Sequence, residues 1–299
     1  MVQKKRKKKS QKPEKTTSVK IDISSVSSFF DKHPHALPMI LLLALLLLFF
    51  NQMMFSGKTL LPPDKVTSIS YEPFVQQSFK SGEYPLWYPY IFSGMPSFAS
   101  LTRAPFVDIL SWSIKGILYL ISYIFPLPAF TLIFINYFLL GFFTYLLLMR
   151  ITKIRTIALF AALTLAFQPA IIAFSAFGHN TKLSTVLLIP LIFLLAEEVL
   201  ERRRMLHFAL LALAVGLQML KAHTQMSYYT FMFTGLFAIY WVIDSMRKKR
   251  PVSGIFKSLG VLAAALLIGI AMSSWLYLSV QEYAHYSIRG GGGLDYNYA

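Results

Sequence analysis

Three carboxylates, Asp64, Glu72 and Glu83, lie in a mixed-polarity stretch over residues 57–100 of a chain that is otherwise almost continuously apolar. A carboxylate in such a segment can serve as a general base towards an approaching hydroxyl. Asp64 follows Pro62 and Pro63 and suits a turn equally well, and Glu72 suits a helix cap. Further ionisable groups punctuate the later apolar runs. They are Gly178-His179-Asn180-Thr181-Lys182, then Lys221-Ala222-His223-Thr224-Gln225, then Gln281-Glu282-Tyr283-Ala284-His285 with Arg289 and its glycines beyond. Ionisable side chains beside membrane helices are costly and are functional candidates by default; a headgroup contact or a cap is the plain alternative for each. His179, His223 and His285 with Asp64 could ligate a metal, but no pair has a tight spacing such as HxxxH, which argues against a His-based metal site.

The elements that must position these groups are membrane helices. With 56% hydrophobic residues, 26 Phe and a mean hydropathy of +0.55, the chain reads as an all-α polytopic membrane protein and not as a soluble domain around one core. Much of the net charge of +16 sits in the first twenty residues, KKRKKK with Lys12, Lys15 and Lys20, and the rest mainly in short clusters between apolar runs. That placement excludes a nucleic-acid partner and fits cytoplasmic flanks against anionic lipid. Residues 1–34 therefore read as a basic, disordered cytoplasmic tail. There is no Cys, so outward loops must be held by packing and hydrogen bonds.

Apolar runs over residues 36–55, 128–149, 156–177, 183–200, 205–220, 226–243 and 254–280 give about seven spanning helices. The run over 106–125 decides the topology. If it crossed, the clusters Arg150/Lys153/Arg155, Arg202–Arg204 and Arg247–Arg250 would all fall outside, against the positive-inside rule. Asp108, Ser111, Lys115, Tyr119 and Ser122 recur on it at three- and four-residue steps, one polar stripe on an apolar helix, so it is read as lying along the surface. The alternative is a spanning helix whose stripe faces a polar cavity. The N-terminus is then cytoplasmic, residues 56–127 form the first outer loop, 35–280 the transmembrane module and 281–299 an outward segment. Within the loop, Pro73 is expected to open a short helix to about Ser81, ended by Gly82 and Pro85, followed by an extended aromatic segment whose Tyr84, Trp87, Tyr88 and Tyr90 suit headgroup level.

PPDKVTSISYEPF with GEYPLWYPYIFSGMPSF, then GHNTK, KAHTQMSYY and YSIRGGGGLDY, resemble in order the motifs of the YfhO-like family of bacterial membrane proteins, which resemble GT-C glycosyltransferases. The likeness runs from about Gly57 to the last residue. It implies a GT-C module in the bacterial cytoplasmic (inner) membrane, with two juxtamembrane helices in the first outer loop. It also implies an inverting transfer from a polyprenyl-phosphate-linked sugar to an extracytoplasmic glycan or polymer acceptor. Asp64 is the implied base with Glu72 its substitute. His179, Asn180, Lys182, Lys221, His223, Gln225, Tyr228, His285 and Arg289 are the implied substrate-binding set, Lys182, His179, His223 and Arg289 offsetting charge on the departing phosphate. The resemblance leaves open whether a divalent metal takes part. Family members are longer, so the sequence is expected to be the N-terminal portion of a larger protein. A non-catalytic membrane protein that binds or moves a lipid-linked glycan is the competing function. The absence of an internal repeat argues against a secondary transporter.

Overall fold

A computed structural model describes residues 28, 30–60, 63–91, 93–97, 109–124 and 126–284, with backbone alone for 63–70, 109–112, 114 and 115. The chain divides after Leu37, and the larger unit, from Pro38 on, holds the helical bundle. Five helical stretches among the described residues are long and apolar enough to cross a membrane. They are α5 (Thr131–Thr152), α6 with α7 (Arg155–Ala166, Pro169–Ala176), α8 with α9 (Asn180–Val186, Leu188–Arg202), α11 (Thr224–Arg247) and α12 (Val252–Ala271). At 1.5 Å per residue, the shortest, 20 residues, reaches ~30 Å, the thickness of a hydrocarbon core. Helices α1 (Ala36–Phe49), continued by α2 (Asn51–Phe55), and α10 (Met205–Leu220) are apolar but shorter. The chain is thus an all-α, multi-pass membrane protein in class.

Prolines explain two interruptions. Pro169 opens α7, where its missing N–H is no loss. Pro190 cannot donate to the Val186 carbonyl, so the ladder skips at Leu187 although that residue keeps helical dihedrals. The expected single run over 254–280 is two helices, α12 and α13 (Ser274–Ala284). The break falls at Met272 and Ser273, where the buried Ser273 hydroxyl donates to the Ile270 carbonyl.

The basic clusters gather at one end of the bundle. Arg150, in the last turn of α5, donates to Glu197 and Glu198 of α9 at 2.9 Å each. Arg202 stands 3.1 Å from Glu198, and Arg250, between α11 and α12, is bidentate on Glu201 at 3.0 Å. Left-handed Lys153, Arg203 and Lys249 follow the helices there (φ 60, 50 and 53°), basic residues where glycine is usual. Their charge suits the negative end of each helix dipole. Helix α1 runs antiparallel to α5: a Cβ on Gly141 would lie 2.8 Å from Leu42, while Phe50 packs on Phe130 and Tyr137 near the start of α5. The chain therefore leaves α1 at the end opposite the arginines. Helices α10 and α12 pack closely, because Gly269 admits Val215 and Gly216 admits Met272; an added Cβ would stand 2.6 and 2.8 Å from them.

Between α2 and α5 lie α3 (Pro63–Lys80) and α4 (Ile109–Ser122). Helix α3 corrects the expected start at Pro73. Pro63 takes the first position and Pro73 sits inside, at the loss of one ladder bond. Its end is as expected: Gly82 (φ 75°) and a bond from the Glu83 N–H to the Ser78 carbonyl at 3.0 Å form a Schellman close. Helix α4 has 14 residues and reaches ~21 Å, short of a ~30 Å core. The aromatic segment is a small hairpin, β1 (Trp87–Tyr88) against β2 (Met95–Pro96). Tyr88 is buried among Phe74, Tyr71 and Tyr90, so of the expected headgroup-level rings only Trp87 and Tyr90 are openly exposed. Gly94 (φ 114°) lets the backbone pass the Trp87 ring, and the Ser97 hydroxyl donates to the Pro85 carbonyl.

Candidate functional site

The end of the bundle remote from the arginine–glutamate network is built by helix termini. Helix α7 closes in a Schellman turn, with Gly178 left-handed at φ 89° and the His179 N–H donating 2.7 Å back to the Phe174 carbonyl. That turn fixes His179 ahead of α8, and Lys182 follows one turn inside, its ammonium 4.7 Å from the centre of the Phe174 ring. Across from them α10 ends at Lys221, Ala222 turns left-handed (φ 55°), and His223 precedes α11 with its carbonyl accepting the Met226 and Ser227 N–H groups. An alanine in that conformation is strained where a glycine would not be.

These turns bring His179, Lys182 and His223 within electrostatic reach of one another. Burial of the imidazole, then the positive charge of Lys182, with a smaller push from His179, hold the His223 pKa below the ordinary histidine range. In the absence of an anion the imidazole is therefore biased towards its neutral, hydrogen-bonding form. Lys182 supplies the fixed positive charge.

The other expected residues separate. Asn180 begins α8, with its Oδ1 buried and unpartnered. Gln225, in the first turn of α11, donates to the Tyr229 hydroxyl at 3.1 Å, and Tyr228 beside it is exposed. Lys221 is half-buried at the end of α10. Asp64 is the second residue of α3, not a turn residue, and its side chain lies outside the described atoms. Glu72 is interior to the same helix, exposed, and accepts from Gln76 at 3.3 Å, so it caps nothing. Eight residues separate the two carboxylates, ~12 Å along the axis, too far to act on one atom. His285 and Arg289 lie outside the described residues. Among the described residues no group of three His, Asp or Glu is placed to hold a metal ion.

What sequence reasoning missed lies just beneath the mouth. Gln218 of α10, fully buried, donates to the Thr185 carbonyl of α8 at 3.1 Å and to the Thr230 hydroxyl of α11 at 3.0 Å, tying three helices together. Asn136 of α5 donates to Ser184 at 3.1 Å, and the Tyr137 hydroxyl, 2.9 Å from Ser175, bonds α5 to α7. Ser227, Thr230 and Thr234 are all buried on α11. Their three- and four-residue steps are the same stripe signal that singled out residues 106–125, here inside a span. The acidic partners Glu197, Glu198 and Glu201 went unnoticed too, although Glu198 and Arg202 are four apart on one helix.

No family model matches the chain, nor does any curated relative or solved structure.

Proposed function

We propose that the protein is a membrane glycosyltransferase of GT-C type that moves a sugar from a polyprenyl phosphate to a hydroxyl acceptor outside the cytoplasmic membrane. One observation carries the reading: Lys182, His179 and His223 converge at the end of the bundle remote from the arginine clusters. By the positive-inside rule the arginine end is cytoplasmic, which puts the converging groups outside. Helix α1 leaves towards that same side, so the segment bearing Asp64 follows there. The module has about seven membrane helices once α1–α2 and α10 are counted with the five longer stretches.

A polyprenyl phosphate is a competent leaving group, so one base is sufficient. The acceptor oxygen forms a bond to the anomeric carbon as the bond from that carbon to the phosphate oxygen breaks. Its proton passes to the Asp64 carboxylate, and the electron pair departs on the phosphate, inverting the anomeric centre. Lys182 and His179 offset the charge that leaves with it. Glu72, two turns away and engaged with Gln76, is the weaker base candidate.

The test is transfer of radiolabelled sugar from its polyprenyl phosphate in membranes from cells expressing the full reading frame, paired with donor binding to purified protein. Asp64→Asn is expected to lose transfer by on the order of a hundredfold or more while donor binding holds. Near-normal transfer by Asp64→Asn and by Glu72→Gln would replace catalysis with a protein that binds or moves a lipid-linked glycan.

A further inference from the structure

Four polar atoms around the mouth and just beneath it are buried without a hydrogen-bond partner. Gln218 uses its amide nitrogen on two acceptors, which fixes the orientation of the amide, and leaves its Oε1 buried and unpartnered. Ser227 lies one turn before Thr230 on the same face of α11, is 1% exposed, and its Oγ has no partner. Asn180 Oδ1 at the start of α8 is buried and unpartnered too, and the His223 Nδ1, one turn before Ser227, is buried with only its own backbone in reach. Buried polar atoms are nearly always hydrogen-bonded, so several unmatched ones where α8, α10 and α11 meet call for a ligand or water.

The chemistry of these atoms selects the ligand. Amide oxygens only accept, and a phosphodiester offers only acceptors, so Gln218 and Asn180 cannot bind phosphate through those oxygens. They require donors. A sugar ring is a set of hydroxyl donors attached directly to the phosphate that Lys182 and His179 attract. Resting on the function proposed above, we infer that Gln218 and Ser227, with Asn180 and the His223 imidazole nearer the mouth, form a hydroxyl-reading subsite. It takes the sugar of the lipid donor while Lys182 and His179 hold the phosphate. Recognition is thereby divided: Lys182 and His179 hold the phosphate of any polyprenyl phosphodiester, and the buried acceptors decide whether it carries a sugar.

The test compares two probes of equal charge on the purified full chain in lipid nanodiscs: a polyprenyl phosphodiester bearing one hexose, and the methyl phosphodiester of the same polyprenol. The wild type is expected to prefer the hexose probe by about tenfold or more, roughly the discrimination of one well-made buried hydrogen bond. Gln218→Met and Ser227→Ala are each expected to shrink that preference and leave the methyl probe's affinity unchanged. Lys182→Ala should weaken both probes alike. Ser227→Ala, a small change at a site with no structural bond, carries the test if Gln218→Met fails to fold. Equal binding of the two probes by the wild type, or equal effects of these substitutions on both, overturns the subsite and assigns the buried atoms to water. Indifference of both probes to Lys182→Ala would instead sink the phosphate-binding reading on which the subsite rests.

Discussion

Arg250 and Glu201 face each other through two hydrogen bonds of 3.0 Å, and the Trp241 indole donates to the same carboxylate at 2.7 Å. The carboxylate beside it raises the Arg250 pKa further, and the guanidinium also lies 5.6 Å from the Trp241 ring. One glutamate so ties the end of α9 to α11 and to the turn before α12. Glu201→Ala should destabilise the protein by about 1–3 kcal/mol, because it strands the buried Trp241 indole N–H and the two guanidinium N–H groups of the half-exposed Arg250. Thermal unfolding in detergent would register this as a lower midpoint, with Glu201→Gln intermediate because it keeps acceptor capacity without the charge.

The orientation of the bundle is open to a direct check. Single cysteines in this Cys-free chain report sidedness through a membrane-impermeant thiol reagent on intact cells. Thr181→Cys is expected to label and Arg203→Cys to stay protected until the membrane is opened. Labelling at 203 in intact cells would invert the assignment and put the His179–Lys182 mouth in the cytoplasm.

His223 gives the protein a signed pH response. Its folded pKa lies below the ordinary value of about 6.5, so the unfolded chain takes up more protons in the window beneath that value. The stability contribution is complete above the window and is lost as pH falls through it. A bound phosphodiester opposes the local positive field and raises the pKa, so binding takes up a proton and tightens as pH falls through the histidine range. His223→Gln should flatten both responses, measured by unfolding midpoints and by lipid-probe titrations across pH. An unchanged pH slope in the variant would remove His223 from both responses.

The α10–α12 crossing has no room to spare. Gly269→Ala would place a Cβ 2.6 Å from Val215 and 2.7 Å from the Ala212 carbonyl, backbone that cannot yield cheaply. A loss of about 1–3 kcal/mol is expected, read as a lower unfolding midpoint. Gly260→Ala on the same helix meets nothing within 4 Å and should be neutral or mildly stabilising.

Legibility followed the physics. Apolar runs longer than a bilayer requires are unmistakable, and Arg150, Arg202 and Arg250 meet at one end as their placement between the runs foretold. Boundaries were poorer where a proline had two uses. Pro73 reads as a helix start from local chemistry alone, yet Pro63 takes that place and packing such as Tyr88 on Phe74 holds the helix through Pro73. The site was only half visible. Charged residues such as Lys182 interrupt an apolar pattern, whereas Gln218, Ser227 and Thr230 are single polar residues among hydrophobic neighbours and acquire meaning only when three helices bring them together. The lowered pKa of His223 depends on its burial and then on neighbours in space such as Lys182.

The aromatic seam at Phe50 has a consequence for how the protein is made. Phe50 stacks against Phe130, Phe134 and Tyr137, and Phe49 against Phe167, all belonging to helices synthesised much later. At about 5–20 residues per second, the ribosome reaches Phe134 roughly 4–17 s after Phe50. During that interval the first helix waits in the bilayer with its seam open. Its eventual docking surface is hydrocarbon against hydrocarbon, which lipid tails can substitute in the meantime. The first helix can therefore be made and held in apolar surroundings long before the bundle exists to receive it.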